Sequence, residues 1–195
     1  MRSIPRSSAF SRGGTFLLGG DYMWLYLDLA GIEFHFRVNN YRKSTLDNWD
    51  VEWCNVDVTI HSGNWLNYQI SSEILLACEV EEIRDKISDL LEDRIQEQIE
   101  IEFIEPDLSL FLNPKEDIRD NPRVLYVAPG HEIVDIDADL QIHFWNEGLT
   151  ANYLSLCFDR NNLECLLVYL RYITKEIQTD DEMLQKLIAD NVIRI

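Results

Sequence analysis

Two pairs of side chains in this chain of 195 residues have the types and spacing for proton transfer: Asp57 with His61, and Asp139 with His143. In each pair the acid precedes the histidine by four residues, which on a strand puts both on one face. A carboxylate that orients an imidazole is half of a general-base arrangement. The other half is missing. Ser155 and Cys157 fall inside a regular alternation instead of a sharp turn, and no Gly-x-Ser-x-Gly elbow occurs. Asp135, Asp137 and Asp139 carry oxygens suited to a hard cation. Residues two apart on a strand stand in a straight row, however, and no glycine follows to wrap a loop around an ion. A solvated sheet face accounts for them. The histidines His35, His61, His131 and His143 lack the HExxH spacing of a zinc site. Gly13-Gly14 and Gly19-Gly20 lack the Lys-Ser/Thr that completes a phosphate loop. Neither a metal nor a cofactor is expected.

Aromatic residues carry more information. Trp49, Trp53, Trp65 and Tyr68 are interleaved with Asp47, Asp50, Glu52 and Asp57. Trp and Tyr among carboxylates suit a binding patch for a basic protein. The rings could equally cover a sheet, and Trp65 is assigned to the core. The candidate partner-binding set is Trp49, Trp53, Asp57, His61, Asp135, Asp137, Asp139 and His143.

Strands must position most of these residues. Met23, Leu25, Leu27 and Leu29 alternate with polar or aromatic neighbours, Ala30-Gly31 turns the chain, and Ile32, Phe34, Phe36 and Val38 alternate in return. Cys54, Val56, Val58 and Ile60 share one strand face, with Asn55, Asp57, Thr59 and His61 on the other. Ser62-Gly63-Asn64 leads into a second long extended segment. The period then changes to helical. Val80, Ile83, Ile87, Leu90 and Leu91 form an apolar stripe on a charged helix near 79–94. Period two returns in Ile99, Ile101 and Phe103, and in Leu108, Leu110 and Leu112. Another strand is expected at Val124–Val127. Ile136, Ala138, Leu140, Ile142 and Phe144 mark one face of the next strand, and Leu154, Leu156 and Phe158 its partner. Residues 162–176 are apolar nearly all round, the mark of a buried helix, which Asp159, Asn161 or Asn162 can cap. Met183, Leu184, Leu187 and Ile188 suggest a short amphipathic helix. The expected fold is α+β: mainly antiparallel sheet, as one large sheet or two packed sheets, with a surface helix near 79–94 and a buried helix near 162–176. Residues 1–22 read as a flexible leader that need not be native, 23–177 as a single domain, and 178–195 as a short helix and tail.

Charge bounds the function. The chain holds 35 acidic and 17 basic residues, a net charge of −18. Arg2, Arg6 and Arg12 stand in a leader without acids, so residues 21–195 carry −21. Such a surface repels nucleic acid and anionic membranes and attracts basic partners. No apolar run approaches the roughly 18 residues of a membrane span. Cys54, Cys78, Cys157 and Cys165 show no paired spacing, so free thiols in a reducing cytoplasm are expected.

Three stretches, DNWDVEWCNVDVTIHSGNWLNY, EPDLSLFL and LTANYLSLCFDRNNLECLLVYL, resemble the bacterial WapI-like immunity proteins. The resemblance covers about Met23 to Ile173 and rests on tryptophans, acids and alternating apolar residues. It implies neutralisation of a toxin domain by direct binding and carries over no catalytic residues. The expected function is therefore a non-enzymatic, acidic binding protein with a basic toxin domain as partner. The alternatives are a hydrolase built on an Asp/His pair, and a structural homodimer or larger homo-oligomer using the C-terminal helix.

Overall fold

The computed structural model describes residues 23–43 and 52–194, the side chain of Asp120 excepted. The expected leader, Trp49, Asp47 and Asp50 lie outside the described residues. Eleven strands and three helices follow in the order β1 (Trp24–Asp28), β2 (Glu33–Asn39), β3 (Trp53–Ser62), β4 (Leu66–Leu76), α1 (Ala77–Leu91), β5 (Ile99–Glu102), β6 (Leu108–Asn113), β7 (Glu116–Asp117), β8 (Ile133–Val134), β9 (Asp137–Trp145), β10 (Leu149–Asp159), α2 (Arg160–Ile173), α3 (Glu182–Ala189) and β11 (Ile193–Arg194). A single 3₁₀ turn, Ile118–Asp120, follows β7.

The strands form two main antiparallel sheets. Sheet A has the order β11-β1-β2-β3-β4 and sheet B the order β10-β9-β6-β5, with β7-β8 as a small separate ribbon. The α+β class with mainly antiparallel sheet is the one the alternation implies, and the two-sheet form is the one adopted.

Each sheet turns its apolar parity inward. Leu25, Phe34, Cys54, Val56, Val58 and Ile60 of sheet A join one core with Leu110, Ala138, Ile142, Leu156 and Phe158 of sheet B. The sheets touch directly where Phe34 meets Phe158 edge-on, ring centroids 5.1 Å apart. Helices α1 and α2 pack against each other and fill the rest. Tyr169 of α2 is fully buried, accepts from the Val38 N–H at 3.0 Å and donates to the Met23 carbonyl at 3.2 Å. It thereby ties α2 to sheet A at β2 and at the residue just before β1.

Local chemistry sets the ends. Ala30 and Gly31 both have positive φ, 54° and 92°, as a two-residue hairpin turn requires. Asp159 accepts from the Asn162 N–H at 2.8 Å and Asn162 returns the bond to the Asp159 N–H at 3.2 Å, a reciprocal cap on α2. Buried Glu79 does a similar service for α1. One oxygen accepts from the Leu76 N–H and the other from the Ile104 N–H, both at 2.7 Å. Burial nevertheless raises its carboxyl above the usual range.

Two expectations are corrected. Trp65 is 73% exposed, not core, because it occupies the turn after Gly63 and precedes the first residue of β4. Residues 124–127 form no strand, since they find no neighbouring edge, and Leu125 and Tyr126 stand in solvent. The short C-terminal helix packs its apolar residues Leu184 and Leu187 into the core, and β11, which no alternation signals, buries Ile193 and pairs with β1.

Candidate functional site

The candidate residues do not gather in one place. Asp57 and His61 stand on the outer face of sheet A. Asp137, Asp139 and His143 stand on the outer face of sheet B, with Asp135 just before it. Trp53 opens β3 and is half-buried.

Neither expected Asp/His pair forms. Asp57 is only 7% exposed, because neighbours on β2 and β4 close over it. Its carboxylate accepts from Arg37 Nε at 2.8 Å and Asn39 Nδ2 at 2.7 Å, and also from Ser71. Burial alone would raise its pKa. The bonds from Ser71, Arg37 and Asn39 outweigh burial and hold it below the usual carboxylate value. His61 has Glu33 as its acidic neighbour instead, at 3.8 Å. Arg37 also lies over the Trp24 ring at 4.4 Å, and Arg194 over Tyr26 at 3.8 Å. The outer face of sheet A is thus a mesh of cations, aromatic rings and acids that satisfy one another.

Sheet B differs. None of β5, β6, β9 and β10 contains Lys or Arg. Their outward residues align in rows across the strands. Asn113, Asp137 and Asp159 make the first row; Glu100, Phe111, Asp139 and Cys157 the second; Glu102, Ser109, Gln141 and Ser155 the third. His143 and Tyr153 follow, ring centroids 5.6 Å apart, and Trp145 opposite Leu149 ends the face. Asn113 Nδ2 donates to Asp137 at 2.6 Å and to Asp139 at 3.1 Å. That bridge orients two like charges without cancelling either. Asp135 is taken up by Arg160 in a two-pronged pair at 2.8 and 2.9 Å, chiefly responsible for lowering its carboxyl to about 2. Beside this end runs a groove of about 540 Å³ lined by Glu97, Glu116, Asp135, Asp137 and Asp139 together with Lys115.

Catalytic chemistry finds little here. Cys157 is exposed, but partial burial of its thiol and then the charges of Asp137, Asp139 and Asp159 raise its pKa, which disfavours the nucleophilic thiolate. Ser109 Oγ approaches His143 Nε2 at 3.4 Å, a pair that sequence spacing could not signal because β6 and β9 lie 34 residues apart. The apolar cavity between the sheets, about 40 Å³ and lined by residues such as Phe34, Phe103, Leu140 and Phe158, offers no polar group. Among the described residues no group of three His, Cys, Asp or Glu is placed to hold a metal ion, and no helix is long and apolar enough to cross a membrane.

The molecule is thus an α+β domain with one open acidic sheet face. The family description "Immunity protein WapI-like family" matches residues 25–178, most of the chain. No curated protein matches it. The chain belongs to the WapI-like immunity protein family.

Proposed function

We propose that this protein neutralises a basic toxin domain by direct, non-enzymatic binding, and that the outer face of sheet B receives it. The carrying observation is the contrast of charges within the fold. Four adjacent strands turn Glu100, Glu102, Asp137, Asp139 and Asp159 outward, Asp137 and Asp139 half-buried, without a single Lys or Arg. Acids without a cationic partner repel one another and lower stability, and a basic partner would offset that cost. The role of the family supplies the class of partner. Of the sequence-derived set, Asp137, Asp139 and His143 belong to this surface directly and Asp135 borders it. Trp53, Asp57 and His61 would contribute only through a partner large enough to reach sheet A. All four cysteines are free thiols, which fits a reducing cytoplasm where an immunity protein meets an incoming toxin.

The test is association kinetics with an inactivated, basic toxin domain of the kind that WapI-like immunity proteins neutralise. The on-rate should fall steeply as salt rises, because steering acts over a Debye length of about 10 Å at 0.1 M. Absence of binding at every salt concentration would overturn the assignment.

A further inference from the structure

The outer face of sheet B ends in apolar side chains that no part of the described fold covers. Trp145 is 49% exposed, Leu149 49% and Tyr153 51%. Register places Trp145 opposite Leu149 and Tyr153 opposite His143, so all four project from the same side. Aromatic residues left in solvent as a group mark a protein contact, and Trp and Tyr are the residue types that dominate such contacts.

The base beneath them is fixed. The ladder breaks between Leu149 and Tyr153 in a bulge. Thr150 pins that bulge by donating to the Phe144 carbonyl at 2.7 Å and accepting from the Asn152 N–H at 3.2 Å. Phe144, of opposite parity, meets Tyr68 of β4 with centroids 5.7 Å apart and props the hairpin against sheet A. A bulge that re-aims side chains on a braced hairpin reduces the ordering cost of binding.

We infer that Trp145, Leu149 and Tyr153 are the anchor of the toxin contact, entering an apolar pocket rimmed by basic side chains. This rests on the proposed function and adds where the binding energy resides. Charge selects this occupant over a second copy of the chain. A two-fold contact over the same face would set the rows of Glu100, Asp139 and Asp137 against their own copies, and like charges oppose association.

The experiment measures on- and off-rates of the inactivated toxin domain with Trp145→Ala, Tyr153→Ala, Leu149→Gln and, as a control, Trp65→Ala on the β3–β4 turn. Thermal melts check folding, and Leu149→Gln serves if the tryptophan variant melts early. An anchor predicts an off-rate raised about 30-fold or more by Trp145→Ala, an on-rate within about twofold of the parent, and no effect of Trp65→Ala. Unchanged off-rates in all three anchor variants would refute the anchor. If Asp137→Asn with Asp139→Asn still slowed association in that case, the acidic-face assignment would survive it. A parent dimer that dissociates in Trp145→Ala would identify a second copy as the occupant and overturn the inference. Failure of the parent protein to bind would remove the proposed function and the anchor together.

Discussion

The two sheets share a core but treat their outer faces in opposite ways. Sheet A places Arg37 between Asp57 and Trp24, Arg194 over Tyr26, and Glu33 near both His35 and His61. Its charges are used internally. Sheet B holds five outward acids and no Lys or Arg on its strands, and leaves aromatic rings exposed at one end. Equal carboxylates therefore do unequal work: Asp57 is neutralised by Arg37 and holds the fold together, while Asp137 and Asp139, bridged by the neutral Asn113 amide, keep their charge uncancelled.

The largest expected effect concerns the core that both faces enclose. Val58 is 1% exposed in β3. Val58→Asp buries an unpaired carboxylate at a cost of several kcal/mol, comparable with a whole domain's stability of about 5–15 kcal/mol. The variant should lack a cooperative melt, and normal expression with an unchanged melt would show the strand's faces reversed.

Next in size is the test that separates the two faces. Asp57→Ala strands Arg37, Asn39 and Ser71 and should lower stability by about 1–3 kcal/mol in urea unfolding. The same net charge change in Asp139→Asn should alter stability by less than about 0.5 kcal/mol and instead reduce the on-rate for a basic partner. If Asp57→Ala melts like the parent, the two faces are not different in kind.

Alternation along single strands made the inward faces legible. Leu25, Val58 and Ile142 lie where period two puts them, and both long helices appear near their apolar stripes. What single-strand patterns cannot carry is lateral pairing. Asp57 reads as a partner of His61 and an acid of a binding patch until β2 sets Arg37 opposite it. The lack of Lys and Arg on sheet B becomes visible only once β5, β6, β9 and β10 are known to be neighbours. Trp65 and residues 124–127 failed for a related reason: an apolar side chain or β-prone run fixes no position without a surface to meet it.

A smaller effect follows from acid. The Asp57 carboxyl lies below its ordinary value in the folded chain, so its contribution is present above the unfolded pKa of about 3.9. It is lost as pH falls through the lower folded value. Stability differences between the parent and Asp57→Asn should therefore be constant near neutrality and shrink below about pH 4. A difference that instead changes as pH falls through and below about 6.5 would point to His35, whose imidazole burial holds below its ordinary value.

The smallest expected effect is none at all, and it decides between binding and catalysis. Ser109 and His143 make a serine–histidine contact, and they lie on the proposed docking face. A hydrolase would need that serine activated by the imidazole, with an acid behind the ring and donors for an oxyanion. The acid four residues before His143 is Asp139, and its carboxylate is engaged by Asn113. The surrounding rows form an open sheet face instead of a sharp nucleophile turn. Ser109→Ala removes one hydroxyl from this surface and should leave toxin binding and protection of cells at parent levels. Loss of protection in a Ser109→Ala protein that still folds and still binds the toxin domain would mean that contact alone does not neutralise it, and that sheet B carries chemistry as well as charge.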